Sequence, residues 1–185
     1  MSVVVAICQD GVVYMGADTA TTKDAGRRSY ALGPLAKIMR MEDNVLVGST
    51  GSAVVKQLLM GHPELLRWGD EGLDRRWFST EFIPHFREVC QEMGWATDGV
   101  LDNDLFVAQG GKLLTFISDT IARVSDCVAM GSGACYALSA LKDESLSIED
   151  RILEALRAAA EFDEAVDKPF VLINTQDMTY KEVAE

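Results

Sequence analysis

Apolar and polar positions along the chain predict several hairpins. Residues 3–8 form a continuous and mostly β-branched apolar run, which predicts a strand buried on both faces. Asp10 and Gly11 follow it, and this pair favours a tight turn into a second strand over 12–17. The other segments with strand-like patterns are 37–41, 45–47, 105–108, 113–118, a short strand within 122–130, 170–175 and 178–183.

Four other segments repeat their apolar residues at helical spacing. The predicted helices follow the corner at 48–52, cover 80–93, run from 131–133 to about 141, and follow a capping box at 147–150. Residues 18–34 are polar and are predicted to be a loop, and 61–77 a connection. Hairpins therefore alternate with pairs of helices, which favours an α+β fold of two antiparallel sheets, each covered by a helix pair.

Composition narrows the class of protein. A length of 185 residues predicts a single domain over 1–185, and 48% hydrophobic with 25% charged residues is typical of a folded globular chain. The net charge of −12 disfavours nucleic-acid partners, because it repels phosphate backbones. The cysteines show no zinc-binding spacing, so no metal is expected. The first residues resemble neither a signal peptide nor a membrane span, and we expect a cytoplasmic protein.

Few residues offer catalytic chemistry. Neither of the two histidines lies beside a nucleophile elbow, and no phosphate-binding glycine motif is present. Ser2 would become the first residue if Met1 were removed, and its hydroxyl would then lie beside a free α-amine. An α-amine has a pKa near 8, so one residue could supply both nucleophile and base. Taken alone, the start of the chain fits an ordinary second residue better.

Six short motifs, which follow one another along the chain, favour a catalytic role for Ser2 over an ordinary second residue. They are MSVVV (1–5), DGVV (10–13), GADT (16–19), KIMRM (37–41), VLVGSTGSA (45–53) and VAMGSGACYAL (128–138). In these motifs the sequence resembles the proteasome β-subunit family, most closely its bacterial branch with HslV and related simple ring proteases. The resemblance covers most of the chain apart from about 61–104. It implies the four-layer αββα sandwich of N-terminal nucleophile hydrolases, which agrees with the α+β order found above.

The resemblance also implies a catalytic centre. Ser2 falls where the family has its catalytic threonine, Asp18 and Lys37 fall on its aspartate and lysine, and Gly51 falls on the glycine whose N–H stabilises the oxyanion. A lysine beside Ser2 would lower the hydroxyl pKa and favour a neutral α-amine, because like charges repel. The aspartate would hold that lysine in place and keep it charged. A glycine corner leaves its N–H open to a developing oxyanion.

Further positions follow from the same resemblance. Ser132 falls on a serine that hydrogen-bonds near the α-amine, and Asp163 on an aspartate that supports this region. Thr22 and Ala53 fall on backbone positions that align a peptide as an extra strand, and Ser49 lies near the start of the main substrate pocket. No cofactor is implied. The implied partners are identical subunits in a stacked ring, an unfolded protein or peptide substrate, and an ATP-dependent unfoldase.

The chain departs from the family pattern in three places. Serine replaces threonine at Ser2, three extra residues separate Asp18 from Lys37, and Val166 stands where the family often has a serine. Met1 must also leave before Ser2 can act. Two alternatives therefore stay open beside an active peptidase, namely an inactive ring subunit that serves as a scaffold, and a small-molecule amidase with the same nucleophile.

Overall fold

Two five-stranded antiparallel sheets make up most of the fold. The computed structural model describes residues 2–23, 27–30, 37–68, 72–94, 103–117 and 120–184. The first sheet contains Val4–Gln9 (β1), Val12–Asp18 (β2), Cys127–Met130 (β10), Phe170–Asn174 (β11) and Lys181–Val183 (β12), in the order β10-β1-β2-β11-β12. The second contains Ile38–Arg40 (β5), Val45–Gly51 (β6), Asn103–Gln109 (β7), Lys112–Ile117 (β8) and Thr120–Val124 (β9), in sequence order. A separate hairpin pairs Ala20–Lys23 (β3) with Arg27–Tyr30 (β4).

The helices come in two groups along the chain. The first group is Ala53–Gly61 (α1), Arg75–Trp77 (α2), the π-helical turn Phe78–Phe82 and Ile83–Glu92 (α3), and the second is Ala134–Leu141 (α4) and Ile148–Phe162 (α5). Short 3₁₀ turns lie at Glu42–Asn44 and Pro63–Leu66. Ser147 caps α5 as predicted, since its side chain accepts a hydrogen bond from the Asp150 N–H. Within the described ranges, no helix has the length and apolar character needed to cross a membrane.

Three hydrophobic cores separate four layers. One core packs the phenylalanines around α3 against the second sheet, and a second packs α4 and α5 against the first sheet. The third lies between the two sheets and includes Val4, Leu46 and Phe106. The structure thus confirms the predicted α+β class and its four-layer αββα arrangement.

Strand β1 lies inside its sheet and is buried on both faces, as its apolar run predicted. It pairs with β2 on one side and β10 on the other. Val3 and Val5 face α4 and α5, whereas Val4 faces the second sheet. At the hairpin, Asp10 and Gly11 have φ angles of 51° and 77°, the left-handed values that a tight two-residue turn requires. The start of the chain is therefore fixed within the core.

Two sequence predictions about the connections are wrong. The polar segment 18–34 is not all loop, because it contains β3 and β4. Neither strand has the apolar alternation that predicts a half-buried strand. The segment 122–130 is not one short strand, because β9 belongs to the second sheet and β10 to the first. The polar pair Ser125 and Asp126 makes the crossing between sheets, and the Asp126 carbonyl accepts a hydrogen bond from the Cys8 N–H at 2.6 Å.

The close approach of β2 to α5 gives a first prediction. A Cβ atom at Gly16 would lie 2.3 Å from Ile152 Cγ2 and 3.1 Å from Leu156 Cδ1, so a side chain there requires these side chains or α5 to shift. We expect Gly16→Ala to lower the free energy of unfolding by about 1 to 3 kcal/mol, measured by urea denaturation. Gly61→Ala is the matched control, because a Cβ there meets nothing within 4 Å. Equal midpoints for Gly16→Ala and the wild type would contradict this account.

Candidate active site

A buried ion pair joins the two sheets at one end of the sandwich. Asp18 ends β2 and has no exposed surface, and Lys37 precedes β5 with 3% exposure. The Lys37 ammonium donates a hydrogen bond to Asp18 Oδ2 at 2.5 Å. Asp18 Oδ1 accepts a second hydrogen bond from the backbone N–H of Val3 at 2.9 Å. One carboxylate thus ties the start of β1, the end of β2 and the start of β5 together.

Burial opposes the charges of this pair. It raises the pKa of Asp18 and lowers the pKa of Lys37, and in each case the attraction between the two groups acts in the opposite direction. The Asp163 carboxylate also raises the pKa of Lys37, although its effect is smaller. The effect of burial is larger than that of Asp18, so the proton on Lys37 is easier to remove than that of a surface lysine.

The backbone of Ser2 is held by the turn between β10 and α4. Its nitrogen donates a hydrogen bond to Ser132 Oγ at 3.1 Å, and its carbonyl accepts one from the Gly133 N–H at 3.2 Å. Gly131 makes this approach possible, because it has a φ of 91° and a Cβ there would lie 2.3 Å from the Ser2 carbonyl oxygen. Ser2 itself is 6% exposed.

The corner at Gly51 adjoins the same turn. Gly51 ends β6 with a φ of 100°, and Ser52 caps the helix α1 that follows. The preceding residue, Thr50, contacts the turn, because its Cγ2 would lie 3.0 Å from a Cβ at Gly131. The Gly131 turn therefore adjoins the Ser2 backbone on one side and the end of β6 on the other.

Comparison with known proteins places this geometry in a known fold. No protein-family model matches the chain, and no curated protein does. Among solved structures, BPH from Thiobacillus denitrificans in complex with epoxomicin is 25% identical, and the match covers 99% of this chain and 100% of that one with a TM-score of 0.74. The fold is that of the proteasome-like N-terminal nucleophile hydrolases.

More distant matches have the same proteasome-like fold. Eukaryotic HslV from Trypanosoma brucei is 19% identical over 93% of this chain and 98% of its own, with a TM-score of 0.65. Anbu, an ancestral β-subunit from Yersinia bercovieri, is 14% identical over 99% of this chain and 87% of its own, with a TM-score of 0.70. The resemblance stated from the sequence is confirmed, and the chain is similar to proteasome-like subunits in its fold.

Three predicted binding positions lie on β3, β6 and α1. Thr22 lies in β3, a few residues beyond Asp18, and Ala53 is the first residue of α1; the side chains of both lie outside the described residues. Ser49 lies beside Lys37, to whose carbonyl its N–H donates a hydrogen bond at 2.8 Å. The catalytic and binding roles of these residues stay predictions.

Asp163 and Val166 follow the end of α5, and Val166 approaches the turn that holds the Ser2 backbone. Asp163 Oδ1 accepts a hydrogen bond from the Ala165 N–H at 3.0 Å, while its Oδ2 is buried without a hydrogen-bond partner in the described part of the chain. Val166 is buried in the core under α4 and α5, and its Cγ2 would lie 3.1 Å from a Cβ at Gly133. An apolar contact thus stands where the family often supplies a hydroxyl.

Sequence reasoning missed Lys56, a second buried lysine near the pair. It lies in α1 with 6% exposure, and burial lowers its pKa, as does repulsion from Lys37, while Asp18 opposes both. The available signal was that Lys56 is the one charged residue of α1, directly after Val55 of the apolar face. Asn103 of β7, which pairs with Gly51 of β6, was also missed. The described residues hold no cluster of three potential metal ligands.

The ion pair gives a second prediction. We expect Asp18→Asn to lower the free energy of unfolding by about 3 to 5 kcal/mol, because it leaves the Lys37 charge buried without its partner. The double variant Asp18→Asn/Lys37→Met should recover most of this loss, since it removes both charges and keeps similar volumes. Urea denaturation of the wild type, Asp18→Asn, Lys37→Met and the double variant measures the coupling between the two charges. A double variant no more stable than Asp18→Asn would contradict the importance of the buried charge.

Lys56 gives a third prediction, on the dependence of stability on pH. Its pKa is lower in the folded state than in the unfolded chain, so the unfolded chain binds the proton more tightly and stability rises with pH up to the ordinary lysine pKa. Lys56→Met should therefore raise the melting temperature by a few degrees at pH 7 and by less at pH 10. Gln57→Met, at the exposed neighbouring position, is the control. A gain that is equal at both pH values would contradict the assignment.

Proposed function

We propose that the chain is a proteasome-like peptidase subunit that hydrolyses peptide bonds with Ser2 as an N-terminal nucleophile, exposed by removal of Met1. The observation that carries this proposal is the buried pair of Lys37 and Asp18, which is bonded to the Val3 N–H one residue from Ser2. The small side chain of residue 2 allows Met1 to be removed. The buried Lys37 cation would then lie beside the new α-amine, which suits this chemistry.

The first step uses both groups of Ser2. Once Met1 is removed, the nitrogen that now contacts Ser132 Oγ becomes the α-amine. This amine takes the proton from the Ser2 hydroxyl as Oγ attacks the scissile carbonyl. Positive charge on Lys37 favours the neutral amine and stabilises the developing alkoxide. The contact with Ser132 keeps the amine in place while it moves the proton.

The later steps follow from the same arrangement. The Gly51 N–H stabilises the oxyanion that forms when Oγ bonds to the carbonyl carbon. The amine then gives its proton to the leaving nitrogen, the C–N bond breaks, and an ester joins the acyl group to Ser2 Oγ. Water attacks this ester with the amine as base, so an acid product leaves and the hydroxyl is restored. No cofactor is needed for this sequence.

Peptide substrates would bind as an extra strand. β3 pairs with β4 and with no other strand of the described residues, and an extended peptide would pair with its second edge. The backbone of Thr22 in β3 and that of Ala53 at the start of α1 would then hold the peptide from its two sides. We further propose that identical subunits form a stacked ring, that the ring takes unfolded protein, with an ATP-dependent unfoldase as a partner, and that it works in the cytoplasm.

Two observations favour a second candidate, an inactive ring subunit. Val166 supplies no hydroxyl behind Ser2, and Asp163 Oδ2 is left without a hydrogen bond in the described part of the chain. The α-amine would therefore have fewer polar contacts than in the family pattern. A scaffold subunit would keep Met1 and need none of these contacts.

The fourth prediction tests peptidase activity. We expect the intact mass to lack Met1 and the protein to hydrolyse unfolded casein and fluorogenic peptides. Ser2→Ala and Lys37→Ala should each lower kcat/KM by about 100-fold or more. Ser2→Thr is the matched variant that keeps the hydroxyl, and its γ-methyl group restricts χ1, so it should be at least as active as the wild type.

Other results of these experiments would contradict the mechanism or support one of the alternatives. Equal hydrolysis by the wild type, Ser2→Ala and Lys37→Ala would overturn the mechanism. A retained Met1, no hydrolysis and no mass increase with a peptide vinyl sulfone would support the scaffold. Light scattering separates the small-molecule amidase, because that enzyme needs no large ring. Since BPH from Thiobacillus denitrificans is known in complex with epoxomicin, a rise in melting temperature with epoxomicin, absent in Ser2→Ala, would add support.

A further inference from the structure

The segment that joins β11 to β12 reaches across to the second sheet. Among the described strands, β12 lies at one edge of the first sheet and β5 at one edge of the second. The Tyr180 hydroxyl, just before β12, donates a hydrogen bond to the Ile38 carbonyl of β5 at 2.9 Å. In the opposite direction, Nη1 of Arg40 in β5 donates one to the Met178 carbonyl at 3.1 Å. We name residues 178–180, with these two hydrogen bonds, the edge clamp.

The edge clamp binds the outer side of β5. The Lys37 carbonyl points towards β6, because it accepts a hydrogen bond from the Ser49 N–H at 2.8 Å. Carbonyl groups of successive residues in a strand point in opposite directions, so the Ile38 carbonyl points away from β6. Within the described ranges, no strand pairs with β5 on that side. The Tyr180 hydroxyl therefore supplies a hydrogen bond that a neighbouring strand would otherwise give.

The turn that carries the edge clamp is held by its own hydrogen bonds. Asn174 Oδ1 accepts hydrogen bonds from the N–H groups of Gln176 and Asp177, at 2.9 and 3.0 Å. Asp177 Oδ1 accepts a third from the Thr179 N–H at 2.8 Å. Burial raises the pKa of the Tyr180 hydroxyl, so the hydroxyl keeps its proton and stays a donor at neutral pH. The donor is thus presented to β5 by an ordered turn.

The two members of the buried ion pair differ in how firmly their backbones are held. Asp18 ends β2, which has a neighbouring strand on each side. Lys37 precedes a strand of only three residues, with one neighbouring strand among those described. A short strand at a sheet edge opens easily, because few hydrogen bonds hold it. The place of Lys37 therefore depends on the bonds of β5 to β6 and to the edge clamp.

We propose that Tyr180 is a positioning residue for the catalytic centre, because its hydroxyl fixes β5 and thereby the place of the Lys37 ammonium relative to Ser2. The inference rests on the proposed function. In that mechanism the charge of Lys37 acts on the Ser2 hydroxyl and amine, and this interaction weakens as the distance grows. A displacement of about 1 Å at a catalytic group can lower the rate by about 100-fold. Loss of the clamp should therefore slow the chemical step.

The fifth prediction removes this one hydroxyl. We expect Tyr180→Phe, which keeps the ring, to lower kcat on a fluorogenic peptide by about tenfold and to leave KM nearly unchanged, because the clamp acts on the chemical step. Tyr136→Phe is the matched control. It removes a hydroxyl from a similarly exposed tyrosine, at 40% against 37%, in the helix layer on the other side of the first sheet, and should keep the wild-type kcat.

A double variant tests whether the effect acts through Lys37. In the Lys37→Ala background, Tyr180→Phe should have little further effect on kcat, because no ammonium is left to be positioned. A general loss of structure would lower kcat by the same factor in both backgrounds. That result, or a kcat of Tyr180→Phe equal to that of the wild type, would overturn the inference.

Hydrogen exchange tests the edge clamp without turnover. Mass spectrometry follows deuterium uptake in peptides that cover 37–51, which include the Ser49 N–H, and 103–117, which lie elsewhere in the same sheet. Tyr180→Phe should speed exchange in 37–51 by about three- to tenfold, as the loss of one hydrogen bond implies, and leave 103–117 unchanged. Unchanged exchange in 37–51, or an equal rise in both peptides, overturns the inference. If the wild type hydrolyses no peptide, the proposed function fails, and exchange still decides whether the clamp holds Lys37.

Discussion

The buried ion pair between Asp18 and Lys37 is the interaction on which the site depends. Burying two charges costs free energy unless they are paired and their remaining hydrogen-bonding capacity is used. Here the second carboxylate oxygen binds the Val3 N–H, so the pair also fixes the start of β1. Because Asp18 belongs to one sheet and Lys37 leads into the other, the pair keeps its geometry while the sheets stay packed on each other.

Two glycines allow backbone segments to pack closely around the site, because they carry no side chain. Gly131 lets the turn after β10 approach the Ser2 carbonyl, and Gly48 lets β6 approach Val4, to whose Cγ1 a Cβ would lie 2.9 Å away. Gly48 lies against the first residue of β1, and Gly131 against the residue two positions before it. Strand β1 lies inside its sheet, with a neighbouring strand on each side. The proposed nucleophile is thus held by the core rather than by a loop.

The sequence predicted what local patterns determine. The Asp10 and Gly11 turn, the cap at Ser147 and the apolar faces of the helices were all visible, and they were enough for the α+β class. The contact of Ser2 with Ser132 joins residues 130 positions apart, so it came from the family resemblance alone. Strands β3 and β4 were missed because they carry no apolar alternation, and Lys56 because the apolar spacing of α1 says nothing about a lysine beside its buried face.

Lys56 is hard to explain by folding alone. The positions around it in α1, Val55, Leu58 and Leu59, are apolar and buried, and an apolar residue at 56 would pack with them at no electrostatic cost. The chain instead buries a cation, whose pKa is lowered by burial and by repulsion from Lys37. Residues that cost stability in this way are characteristic of sites that bind a ligand.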